Sequence, residues 1–226
     1  MKLSFSTRGW GNVSWDTHLE TALEMKFTGI ELYDLWKFPA LTDRGGPFHA
    51  HRLAATLRQL RDEKLTIPCL DTSLDLSFSM DAGDILADVL QSARDLQVPY
   101  VVGWASCGDE DGQVILHQNV DRLLPLAEEL GVGILLKTSG IFADTGRLRR
   151  FLEHYASDCL GALWDMHHPY RDFGESADTT IKNLGTYVRH VHLRDSRKTS
   201  AAPISRETPC SNQPPLTTPT RIATTR

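Results

Sequence analysis

The sequence predicts an α/β fold: a (β/α) TIM-type barrel, incomplete at about seven βα units, followed by a disordered C-terminal tail. Two observations predict it. Short β-rich runs alternate with longer amphipathic stretches up to about residue 198. That alternation calls for parallel strands joined by helical crossovers. The first β-to-α turn, "STRGWGN", lacks the GxGxxG spacing that a dinucleotide-binding open sheet carries at that point. An open doubly wound sheet is therefore the competitor, and closure into a barrel is the preferred solution.

In chain order the strands are expected at "KLSFS" (2–6), "GIELYD" (29–34), "LTIPCLDTS" (65–73), "YVVGWAS" (100–106), "VGILLKTS" (132–139), "LGALWDM" (160–166) and "VRHVHLRD" (188–195). Each has the length of a strand and carries apolar residues for a sheet to bury. Helices are expected between them. "SWDTHLETALEMK" opens on Ser14 as N-cap with Asp16 in its first turn, and "HAHRLAATLRQLRDEK" sets Leu53, Leu57 and Leu60 on one face. "DAGDILADVLQSARDLQ", "QNVDRLLPLAEELG", "TGRLRRFLEHYAS" and "SADTTIKNLGTYV" repeat the pattern.

The pattern stops after "HVHLRDSRK". From Thr199 to Arg226, Thr, Ser and Pro make up about half of the residues and no apolar periodicity survives. The expected organisation is a barrel domain over 1–198 and a disordered low-complexity segment over 199–226. No residue of that segment could build a buried eighth strand, so the barrel is expected to be truncated or closed by another chain.

Composition excludes several function classes. The chain has 226 residues, 41% of them hydrophobic, enough for one sizeable core. Net charge is −5 with no dense Lys/Arg run, which argues against nucleic acid or an anionic membrane as partner. No stretch approaches the roughly 18 apolar residues of a membrane span. Cys69, Cys107, Cys159 and Cys210 are scattered without CxxC or CxxH spacing, indicating neither a disulfide scaffold nor a zinc finger. The expected setting is the reducing cytoplasm. A small polar or anionic ligand fits this composition, and a homo-oligomer is left open.

Strand alternation locates a site. In a parallel barrel alternate residues face the interior, and reactive groups gather at the carboxyl ends of the strands. Ile30 and Leu32 then face the helices while Glu31 faces inward; Ile134 and Leu136 face outward and Lys137 inward. Val191 and Leu193 face the helix layer, leaving His190 and His192 inside. Asp165 ends its strand. Glu31, Lys137, Asp165 and His192 thus converge on one mouth. His190 is read as a hydrogen-bonded core histidine. Asp34, Asp71 and Asp195 end strands too, and an N-cap for the following turn is the alternative role open to any of them. Carboxylate and imidazole together suit a divalent ion, Mn²⁺, Zn²⁺, Co²⁺ or Mg²⁺.

The order "FTGIELYD", "CLDTS", "ILLKTSGIFADT", "LWDMHHPYRDFGE" and "RHVHLRD" resembles the xylose isomerase-like (β/α) barrels of sugar phosphate isomerases and epimerases, over roughly residues 1 to 198. The resemblance implies metal-assisted proton transfer on a ketose or aldose, with Asp165 and His192 as metal ligands. It implies that His168, three residues after the aspartate, acts in catalysis and orients a substrate oxygen, and that Glu31 contacts substrate hydroxyls. Two departures accompany it. Lys137 stands in "LLKTSG" where the family has a glutamate ligand, and the glutamate of the eighth strand is missing with its strand. Lys137 is then left to bind a phosphate or carboxylate of the ligand or to form a Schiff base. "HVHLRDS" and "DMHH" also resemble elements of the endonuclease IV barrels, which the acidic net charge disfavours. A non-catalytic sugar-binding protein is the third reading.

Overall fold

The computed structural model describes residues 2–10 and 12–193. Within them seven parallel strands curl into a half-barrel in sequential order, each strand pairing only with its chain neighbours. The strands are β1 (Ser4–Ser6), β2 (Gly29–Tyr33), β3 (Leu70–Asp75), β4 (Tyr100–Ala105), β5 (Gly133–Gly140), β6 (Leu160–Asp165) and β7 (Val188–His192). The helices are α1 (Trp15–Glu24), α2 (Pro39–Thr42), α3 (Ala50–Asp62), α4 (Met80–Asp95), α5 (Glu110–Leu130), α6 (Thr145–Tyr155), α7 (His167–Phe173) and α8 (Ala177–Leu184). The expected tail over 199–226 lies outside the described residues, as does Asp195.

The start signals in the sequence act as expected. The Ser14 hydroxyl accepts from the Thr17 amide at 3.2 Å and opens α1. Asp109, Asp144 and Ser176 cap α5, α6 and α8 in the same way, each accepting from an amide three residues on. The Asp109 cap explains why α5 begins well before the expected residue 118. Leu116 extends the buried stripe of Val120, Leu123 and Ala127 at helical spacing, and the helix then runs through Pro125 to Gly131, whose φ of 64° ends it. β3 is displaced the other way. Pro68 has no N–H to offer a ladder, so the early part of the expected run 65–73 makes only an isolated bridge, Gly29 to Thr66, and regular pairing starts after it.

Two cores result. The larger lies between sheet and helices and takes Ile30, Leu32, Leu70, Val101, Ile134, Leu136 and Leu160 from the outward side of the strands. The smaller fills the floor of the lumen with Cys69, Val102, Leu135 and Leu163, against which Tyr100 packs. At Gly133 the Tyr100 ring takes the space of a side chain: a Cβ there would meet it at 2.8 Å. Val191 and Leu193 point outward as expected, but they are 40% and 70% exposed, because among the described residues no helix follows β7 to cover them. Among the described residues Cys69 and Cys159 are free. No helix of the described residues is long and apolar enough to cross a membrane.

Candidate functional site at the strand ends

Above the apolar floor the lumen turns polar. The same inward parity that supplies Cys69, Leu135 and Leu163 supplies Asp71, Lys137 and Asp165 two residues further along their strands. Glu31 from β2 and His190 and His192 from β7 meet them from the flanks, so ionisable side chains from five strands face a common space.

Glu31 is buried, and two imidazoles converge on one of its oxygens. Oε2 lies 2.6 Å from His192 Nε2 and 3.2 Å from His190 Nε2, and it also accepts the Cys69 thiol at 3.1 Å. Its partner Oε1 is buried without a hydrogen bond. Burial pushes the Glu31 carboxyl up, but the hydrogen bonds to His190 and His192 and the charge of His192 outweigh it and hold the group well below the usual carboxylate range. Glu31 is therefore ionised at neutral pH. The Cys69 thiol goes the other way, pushed well up by burial and then by the neighbouring Glu31, and it stays protonated as a donor.

Lys137 is clamped. Its Nζ sits 2.9 and 2.7 Å from the two oxygens of Asp71, with 8% of the lysine side chain and none of the aspartate side chain exposed. Burial raises the Asp71 carboxyl from its ordinary value despite the opposing effect of Lys137. The N-cap role open to Asp71 is thus replaced by a salt bridge that reaches from β3 to β5 across the lumen. Asp34 likewise takes another role. It stands at the head of a 3-10 turn (Leu35–Lys37) in the left-handed region, φ 43°, yet makes no cap bond. Its Oδ1 accepts the Ser73 amide and its Oδ2 the Lys37 ammonium, each at 2.8 Å, so it ties β2 to β3.

Asp165 and His192, the expected metal pair, are register partners at the ends of β6 and β7. Their side chains meet different neighbours: the His192 ring goes to Glu31, while Asp165 Oδ1 accepts the His167 amide at 3.3 Å and Oδ2 lies 3.9 Å from His168 Nε2. His168 does turn back toward the aspartate, and its Nδ1 is held by Asp172 at 3.2 Å. α7, absent from the sequence expectations, produces this geometry by starting immediately after the strand and placing His168 and Asp172 one turn apart. Among the described residues the side chains whose ligand atoms converge closely enough for a metal ion, all within 4.8 Å of one another, are Glu31, His190 and His192. His190 and Asp71 are the site residues that sequence reasoning left in structural roles. Alternation already put His190 inside, and the same alternation within "CLDTS" could have found Asp71.

Comparison with known proteins agrees with this architecture. A family model described as xylose isomerase-like TIM barrel matches residues 19–213. Solved structures of similar fold include the IOLI protein with a bound zinc atom (16% identity, TM-score 0.72, covering 88% of this chain and 74% of that one). Two others are 3-keto-D-glucoside 4-epimerase from E. coli (11%, 0.69, 86% and 79%) and a D-allulose 3-epimerase from Methylomonas sp. (16%, 0.65, 85% and 72%). No curated protein matches the chain.

Proposed function

Because the chain belongs to the xylose isomerase-like TIM barrel family, we propose that it binds a small sugar or sugar phosphate at the strand ends and isomerises or epimerises it with a divalent ion, Mn²⁺, Zn²⁺, Co²⁺ or Mg²⁺. The observation that carries this reading is the polar lumen itself. Ionisable groups from five parallel strands stand above an apolar floor, at the end of the barrel where such folds place their chemistry. The bound ion would supply Lewis-acid polarisation of sugar oxygens beside His192.

The chain's own residues divide the remaining work. Lys137, fixed by Asp71, presents a positive charge to a phosphate, carboxylate or carbonyl oxygen of the ligand. His168, held by Asp172 and facing Asp165, would accept a proton from the carbon beside the carbonyl, whose oxygen would take up the electron pair. Delivery of a proton to the opposite face of that carbon by a second donor, such as a water, would give the epimer. Return of the proton from His168 to the former carbonyl carbon, with a proton passing from the adjacent hydroxyl to the former carbonyl oxygen, would give the isomer. The Lys137–Asp71 lock favours one second reading, a sugar-binding protein without turnover.

The test uses the purified chain with each of the four ions and a panel of ketoses, aldoses and their phosphates in D2O. Proton NMR should show loss of the C–H signal next to the carbonyl for at least one sugar. Binding without exchange selects the non-catalytic reading, and a panel that neither binds nor exchanges overturns the proposal.

A further inference from the structure

Glu31, His190 and His192 form an arrangement that hydrogen bonding alone leaves unbalanced. One carboxylate oxygen faces two imidazole nitrogens and a thiol, while the other is buried without a hydrogen bond of ordinary geometry, Ser6 being the group's remaining polar neighbour. A carboxylate distributes donors over two oxygens when it can, and a buried acceptor left bare is destabilising. We infer that these three side chains are the ligands of a divalent cation, held as a two-histidine, one-carboxylate site that bridges β2 and β7 across the lumen. This deepens the reading above by naming the ion's ligands, and it moves the ion from the Asp165–His192 pair to the opposite side of His192.

The dimensions suit such an ion. Bonds of about 2.0–2.1 Å to nitrogen and oxygen place neighbouring ligand atoms of a tetrahedron roughly 3.3 Å apart. Glu31 Oε2 lies 3.2 Å from His190 Nε2 and 2.6 Å from His192 Nε2, so small side-chain adjustments open the space. Three protein ligands leave at least one position for a substrate oxygen or water. The chemistry of the set also selects among ions. Two imidazoles favour Zn²⁺ or Co²⁺ over Mg²⁺, and the Cys69 thiol 3.1 Å from Glu31 adds a soft neighbour. On the other side Lys137 is neutralised by Asp71, which lessens the repulsion a free ammonium would exert.

The experiment measures metal binding alone, so it stands whether or not any sugar turns over. The metal-free full chain is titrated with Co²⁺, followed by its visible absorption, and with Zn²⁺ by competition. The same is done for Glu31→Gln, His190→Gln and Asp165→Asn, with circular dichroism confirming that each variant is folded. The unmodified chain should bind one ion and prefer Zn²⁺ and Co²⁺ to Mg²⁺. Glu31→Gln and His190→Gln should each weaken Co²⁺ at least about tenfold, while Asp165→Asn should change it by less than about threefold. The proposal is overturned if the unmodified chain binds no ion. It is equally overturned if Asp165→Asn abolishes binding while Glu31→Gln and His190→Gln retain it, since the ion would then sit at the Asp165–His192 position. Should one of the substitutions at Glu31 and His190 unfold the chain, the other, set against Asp165→Asn, carries the same decision.

Discussion

Lys137 brings a positive charge into a space where an unpaired charge is costly, and Asp71 meets it with both oxygens. Removing one partner should therefore hurt far more than removing both. Lys137→Met, which leaves Asp71 buried and unpaired, is expected to cost about 3–5 kcal/mol of unfolding free energy, whereas Lys137→Met with Asp71→Leu should recover most of it. Urea denaturation of the three proteins decides, and a single-variant loss below about 1 kcal/mol would show that the pair contributes nothing to the fold. The same geometry changes the meaning of Lys137→Glu. Sequence alone presents that change as restoring an anionic ligand of the family. In the structure it sets a second carboxylate against Asp71, whose carboxyl burial already raises.

At the level of elements, the contact between α4 and α5 reverses an ordinary expectation. Gly83 lies inside α4, where glycine normally costs a helix about 1 kcal/mol relative to alanine. A Cβ at Gly83, however, would collide with the Asn119 side chain of α5. Asn119 cannot easily yield, because its Nδ2 donates to the carbonyls of Leu76 and Ser79 at 2.8 and 3.0 Å and fastens the turn after β3. Gly83→Ala should thus destabilise, by about 1–3 kcal/mol, although it improves helix propensity. A thermal melt checks the sign, and a raised melting temperature would refute the account. Element boundaries show the same division of influence. α1 was legible from its cap and charge pattern, while α7 was not: seven residues after a strand leave no periodicity to read, and the helix exists because the strand end and the Asp172–His168 contact define it.

For the whole molecule, the sheet sets a gradient of stability. β4 and β5 have a partner on each side and cover buried on both faces, whereas β1 and β7 pair on one side only among the described residues, and β7 alternates between half-buried and exposed positions. Amide exchange should accordingly be slowest in β4 and β5 and fastest, among the strands, in β1 and β7. Equal protection of β7 and β5 in a native-state exchange experiment would mean that β7 has cover beyond these contacts.

Alternation along each strand was enough to determine, from sequence, that Glu31, Lys137 and His192 face inward and that Ile134 and Leu136 face the helices, because side-chain direction in a strand has a period of two and needs no partner to be read. The seven-unit parallel order was legible for a similar reason: each βα unit carries its own apolar pattern and caps. What only the tertiary structure decided is which inward residues touch. Glu31 and His190 are 159 positions apart in sequence, and Asp71 and Lys137 are 66 apart. Their pairing depends on sheet curvature and strand stagger, which bring β2 against β7 and β3 against β5. No local pattern encodes those distances, so the sequence could place charges in the lumen while leaving open that a lysine would be locked to an aspartate and that two histidines would share one glutamate.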